Sequence, residues 1–383
     1  MLLKNVEIYV YRLDNAGTFD AIGEINQFTS LMWPDKFNGH ATFELWAPIT
    51  QENKELIKKG NILWCGGDNA AIIEIIQSDV NDKGEKTYKV KGRTLEMLLT
   101  TRIVWGTYSC SNKYSSTAMY EIVNENCVNP AKAARKIPFL ECAEDEQVGK
   151  QITHQKTGGE VYEALTSLAS DADIGFCVLF RPREKKLIFK VIEGVDRSIM
   201  PASTFDANPV IFSTDLEDIL KSSYYTNDQD VKSVALVAGE GEGSERKKVI
   251  SGDDTSEGFL RRELYVDARD LQSEVFNEDG STSSIPEDEY EAMLNNRGDE
   301  KLSECVVTET FDATMRVAGN VQYVYGVDYN KGDKVIVQDT ELGVQVIGKI
   351  TEVSENFDDE YELIITFGYS YPTLIQKIKQ QIS

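Results

Sequence analysis

The sequence predicts a β-rich α+β protein, with sheet-forming segments at both ends, an α+β stretch between them and a polar insertion in the second sheet segment. Three observations predict it. Strand patterns fill the first hundred residues and return after Val210, helical spacing is concentrated between them, and a Gly- and acid-rich interval interrupts the second strand set. At 383 residues the chain exceeds what one ordinary core encloses, and its 41% hydrophobic and 27% charged residues match a folding globular protein.

In residues 1–105, Val6 to Leu13 mixes alternation with aromatics, FELW from Phe43 is a strand, and AIIEII from Ala71 is a buried run. The segment from Thr50 to Gly60 carries an N-cap Thr, early acids, late lysines and a closing Gly, which predicts a short helix. Asn81-Asp82-Lys83-Gly84 between two strand patterns predicts a hairpin, because Asn, Asp and Gly tolerate the positive φ of a tight turn. This first unit reads as a small, barrel-like sheet.

Residues 106–208 read as an α+β unit. STAMYEIVN from Ser116 and EVYEALTSLAS from Glu160 have helical spacing; Phe176 to Phe180 and Leu187 to Ile192 read as a strand pair joined by RPREKK. Residues 209–383 form the second sheet unit, with strands expected at Val231–Ala238, 332–337, 344–353 and 361–367 and a short amphipathic helix from Pro372 to Ile382. The insertion spans about 239–304 and contains a helix opening at Pro286, where Pro at the first position and acids in the first turn suit a helix start.

Forty Lys and Arg against 64 Asp and Glu leave a net charge of −24. Such a surface opposes specific nucleic-acid binding, which needs clustered cations; the basic runs at Arg181–Lys186 and Arg246–Lys248 read as solvated turns. No window has the length of a membrane span. Six cysteines at irregular spacing read as free thiols, and two histidines without a CxxC pair argue against zinc.

The sequence offers no catalytic, cofactor or metal motif. GEGEG from Gly239 lacks the spacing of a phosphate loop and leads toward a strand, so it reads as a turn. Asp328 to Asp333 resembles the start of a calcium loop, but its Gly is one place early and the segment runs into a strand. His40 and His154 have no nucleophile elbow nearby and read as surface or turn histidines. The acids fall mostly in turn-like runs.

Four segments carry a resemblance: GRTLEMLL from Gly92, VALVAGEGEG from Val234, RRELYVDARD from Arg261 and GVDYNKGDKV from Gly326. In this order the chain resembles siphophage tail-tip hub proteins, the hub portion of tail-associated lysins, which are similar to baseplate hub subunits of contractile-tailed phages. The resemblance implies two small β-barrels, a middle α+β domain and an insertion in the second barrel. It further implies a virion tail-tip component, working as a homotrimeric, pseudo-sixfold ring below the tail tube; this chain is expected to have no enzymatic activity. Its expected partners are the distal tail protein, the tape-measure protein and tail fibre or receptor-binding proteins, and tape measure and DNA would pass through an acidic lumen. The family's lysin domain is expected to be missing. Arg261, Arg262, Asp267, Arg269 and Asp270 are candidates for ion pairs within a barrel or at a subunit joint; the alternative is a solvated charged stretch. The competing function is a secreted β-rich carbohydrate-binding module or glycosidase.

Overall fold

The computed structural model describes residues 6–368 except 15–16, 81–83, 85, 199–207, 217, 277–281, 316–320, 340–343 and 359. The Asn81–Lys83 part of the expected hairpin turn and the expected helix from Pro372 lie outside the described residues. The strands flanking that turn, Ala70–Val80 and Lys86–Thr94, do pair antiparallel, with Val80 opposite Lys86.

The strands of the two ends join in one thirteen-stranded sheet. From the N-terminal end its order is Phe19–Ile25, Ile8–Leu13, Ile62–Trp64, Ala70–Val80, Lys86–Thr94, Thr42–Pro48 and Ser30–Lys36. It continues through Val344–Phe357, Tyr361–Gly368 and Thr308–Met315 to Ile219–Asn227. Lys334–Asp339 pairs with the first half of Val344–Phe357, and Ile211–Ser213 pairs with Lys334–Asp339. The second half of Val344–Phe357 pairs with Ser30–Lys36 instead. One 14-residue strand thus belongs to both halves, and its register shift at Ile350/Glu352, opposite Tyr361–Gly368, falls where it passes from one to the other. No pairing among the described strands closes either half into a complete barrel.

Alternation explains how the strands serve several cores. Along Ala70–Val80, Ala71 and Ile73 face the first sheet's interior with Val10, Phe43 and Leu45, while Ala70 and partly buried Ile72 join the core of the middle unit. That middle core packs the helices Ser115–Val123 and Val161–Ala172 against the sheet of Gly175–Arg181, Lys186–Ile192 and Leu140–Cys142. A third core, with Phe212, Phe311, Tyr329, Val335, Ile350 and Phe367, fills the second half of the large sheet.

The insertion is a lobe with its own core. Strands Lys248–Gly252, Val234–Ala238 and Glu263–Asp267 form a three-stranded sheet, and helix Glu287–Ser303 covers one face through Tyr290, Met293 and Leu294. Val234–Ala238, which its strand pattern grouped with the second sheet, is hydrogen-bonded inside this lobe. The GEGEG segment is the turn between two of these strands, as its spacing predicts.

Candidate assembly surface

Three stretches of chain meet at a polar junction. The Lys331 ammonium lies against Asp35, their side chains 15% and 24% exposed. Burial disfavours the charge, but the Asp35 carboxylate outweighs it and raises the Lys331 pKa above that of an ordinary lysine. Asp333, almost fully buried, accepts hydrogen bonds from Val195 N–H (2.9 Å), Asn330 N–H (3.0 Å) and Arg197 Nε (2.6 Å). Asp173 pairs with Lys349 at 2.7 Å and Lys334 at 2.9 Å. Burial alone would raise its pKa; the two ammonium groups hold it below the usual carboxylate range. Glu96, buried by the short helix Leu95–Thr101, accepts Val178 N–H at 2.8 Å, and desolvation pushes its pKa up.

Glycines let these backbones approach. Gly194 lies against Gly332, where a Cβ would come within 1.7 Å of the Gly332 carbonyl oxygen; Gly332 itself has φ +91° and the Phe37 ring beside it. The Asp328–Asp333 segment is therefore a structural turn: Asp333 is occupied by Arg197, and Asp328 accepts the Val324 N–H at 2.7 Å.

The five sequence candidates all lie on the insertion lobe. Arg261 binds Glu263 at 2.7 Å and Asp254 at 3.1 Å, Arg262 binds Asp228 at 3.0 Å, Arg269 binds Asp267 at 2.6 Å, and Asp270 receives both terminal nitrogens of Arg297 at 3.1 Å. Arg269 and then Arg246 hold the Asp267 carboxyl far below its usual range. Arg246, which its sequence context placed in a solvated turn, is the best-buried cation of this group: its side chain is 10% exposed, and it reaches Asp267, Tyr265 Oη and the carbonyls of Ala238 and Gly239. A basic residue just before a strand and just after a Gly-rich turn was the only hint.

His154 corrects its reading as a surface or turn residue. It lies in strand Gln151–Thr157, beneath the lobe's helix, and burial lowers its pKa. Asn296 and Arg297 of that helix donate to the carbonyls of Thr153 and Gln155 and so cover the strand's edge. Beside this contact a cleft of about 740 Å³ opens between Thr107, Ser109 and Thr157 on one wall and Glu274, Ile285 and Glu289 on the other. Its lining has no phenyl, phenol or indole ring. His40 is half-buried and stacks on Tyr162, with centroids 4.9 Å apart. Among the described residues no group of three or more His, Cys, Asp or Glu is placed to hold a metal, and no helix is long and apolar enough to cross a membrane.

Large apolar side chains nevertheless stand in solvent. Phe259 is fully exposed and Leu260 nearly so; Ile250, Leu236 and Tyr265 stand in register across the lobe's outer face, opposite its helix. Trp105 is 65% exposed with the Arg135 guanidinium 4.7 Å from its ring, and Leu220 and Tyr225 are each 54% exposed. Of these, the Ile250–Leu236–Tyr265 row is contiguous, and contiguous exposed apolar patches mark contact surfaces.

No curated protein matches the chain. Among solved structures, a tail protein from Neisseria meningitidis aligns with TM-score 0.52 at 14% identity, covering 95% of this chain and 97% of its own. The 43 kDa tail protein of prophage MuSo2 from Shewanella oneidensis aligns with TM-score 0.54 at 14% identity, covering 94% and 98%. Both have the same fold along nearly their whole length. The model of the Siphovirus ReqiPepy6 Gp37-like protein family matches residues 6–369, and the chain belongs to that family.

Proposed function

We propose that this protein is a structural subunit of a phage-type tail, a hub at the tail tip. The observation that carries the reading is the match of one siphovirus family model across residues 6–369, in a chain whose fold is shared end to end with two tail proteins. The welded junction at Lys331, Asp333 and Asp173 supports it, since a ring subunit must hold its domains in fixed relation.

In this reading the chain comprises units 1–105, 106–208 and 209–383, and three copies close a pseudo-sixfold ring below the tail tube, with distal tail, tape-measure and fibre or receptor-binding proteins as neighbours. Closed rings leave no contact surface unmatched, which fits a function made of contacts rather than catalysis. Part of the −24 charge lines the lumen, where an acidic wall lets DNA pass without adhering. The cleft beside His154 is lined by no phenyl, phenol or indole ring on which a sugar would stack, which tells against the carbohydrate-binding alternative. Light scattering on the purified chain tests the reading. A mass three times 43.0 kDa is expected; a monomer that is retarded on polysaccharide overturns it.

A further inference from the structure

Two separate stretches of the middle unit build a cationic patch on an acidic protein. Residues 102–106 bring Arg102, Ile103 and Trp105, and residues 132–136 bring Lys132, Arg135 and Lys136. Arg102 donates to the carbonyls of Arg135 and Lys136, and Arg135 donates to the Ile103 carbonyl at 2.6 Å. The Arg135 guanidinium lies 4.7 Å from the Trp105 ring centroid, within cation–π range. The loop beneath is pinned as well: Val104 N–H reaches the Gly159 carbonyl at 3.0 Å, and Trp105 N–H reaches Oδ1 of the buried Asn126 at 2.9 Å. Trp105 is nevertheless 65% exposed and Ile103 45%. Among the described residues none of these four cations pairs with a carboxylate, in a chain that has 64 acids against 40 bases. A surface tryptophan held rigid beside such cations has the make-up of a contact hot spot, and its fixed geometry lowers the ordering entropy lost on binding.

The complement stands elsewhere on the same chain. Where Leu31 pairs with Phe357 in the large sheet, a cleft of about 320 Å³ opens, with half-open Met32 beside it. Asp358, Glu360 and Glu362 also line it, the last with Lys221 at 3.1 Å. None of its lining residues comes from the middle unit, so Trp105 of the same copy does not fill it. We infer that the patch docks on this cleft in a second copy of the chain, with Trp105 against Leu31, Met32 and Phe357 and the cations facing Asp358, Glu360 and Glu362. Charge selects that occupant. Copies carrying −24 each repel, and they associate where a segregated positive patch meets a negative site. A nucleic acid would meet the same four cations, but the acidic remainder of the chain repels its phosphates, whereas a copy brings an apolar cleft together with its carboxylates. Patch and cleft are different surfaces, so the contact is heterologous, the kind whose repetition closes a ring when the rotation allows.

The inference rests on the ring reading and names one of its contacts. Trp105→Ala, Lys136→Glu and Glu360→Lys each change one exposed side chain, and a fourth variant combines the two charge reversals. Wild type and variants are compared by light scattering over a concentration series, with thermal unfolding as the check that each fold is intact. Expected are a multimeric wild type, self-association about ten-fold weaker in each single variant, and recovery when Lys136→Glu and Glu360→Lys stand in the same chain. Single variants that keep the wild-type mass, or reversals that do not rescue each other, overturn the docking of patch on cleft and leave the ring standing on other contacts. A wild type that stays monomeric at every concentration overturns self-docking and removes the ring of isolated copies with it. A wild type that binds a single-stranded oligonucleotide through Trp105, with self-association unchanged in Trp105→Ala, gives the patch to nucleic acid and overturns the inference.

Discussion

At the scale of single residues, the charges that matter are those held in fixed geometry, and their value depends on burial more than on number. Glu44, in strand Thr42–Pro48, takes Lys91 at 2.6 Å, Lys89 at 2.9 Å and the Trp46 indole at 2.7 Å, with 22% of its side chain exposed. Burial pushes its pKa up, but the two ammonium groups and the indole N–H outweigh that and bring it down to about 2. A depressed carboxyl stabilises the fold above its unfolded pKa, near 4.5, and that contribution is lost as pH falls toward 2. Replacing Glu44 by Gln is expected to cost about 1 kcal/mol at neutral pH, after discounting for solvent screening. The difference from wild type should vanish at the acid end. Urea midpoints between pH 2 and 7 check this, and parallel curves for the two proteins would refute it. Arg269, by contrast, is a solvent-facing partner of Asp267, and Arg246 holds that same carboxylate from inside the lobe.

At the scale of elements, the turn Asn330–Asp333 decides how the large sheet and the middle unit sit together. Gly332 occupies left-handed backbone, φ +91°, and a Cβ there would stand 2.3 Å from the Phe37 ring. Gly332→Ala therefore combines backbone strain with overpacking and is expected to lower stability by about 2–4 kcal/mol. Chemical denaturation measures it; an unchanged midpoint would mean that Phe37 swings aside at no cost. The sequence made this turn legible, since Asn, Gly and Asp cluster before a strand, and it made the helices legible through caps such as Thr50, whose Oγ accepts Asn53 N–H at 3.1 Å. What it could not reveal was partnership across the chain: that Asp35 meets Lys331, that Arg197 meets Asp333, and that the strand after Val344 leaves one half of the sheet for the other. Those contacts join residues more than a hundred positions apart, and strand periodicity specifies a face, never the neighbour. Likewise Val234–Ala238 shows the alternation of any strand, and only its pairing with Lys248–Gly252 assigns it to the lobe.

At the scale of the whole molecule, the insertion lobe hangs from the margin of the large sheet. Thr308–Met315 pairs there with Tyr361–Gly368 on one side and with Ile219–Asn227 on the other, and the lobe follows at the end where Asn227 faces Thr308. The lobe's core, built on Val237, Val266, Tyr290 and Leu294, is a cluster separate from the other three. Its contact with the middle unit is polar: Ser167 with Glu300, and Asn296 and Arg297 with strand carbonyls, beside an open cleft. The lobe's core being a cluster of its own, its removal subtracts one core and spares three. Excising residues 228–307 and joining Asn227 to Thr308 through an Asn-Gly turn closes a hairpin at register partners, the geometry such a two-residue turn favours. The shortened chain is expected to unfold cooperatively with a midpoint within about 5 °C of the parent, because interfaces of this polar kind contribute little to stability. Calorimetry decides. A collapse into a non-cooperative transition would show that the lobe is part of the body's fold, whereas retained cooperativity would make it an appended module presenting the exposed Phe259 and Leu260.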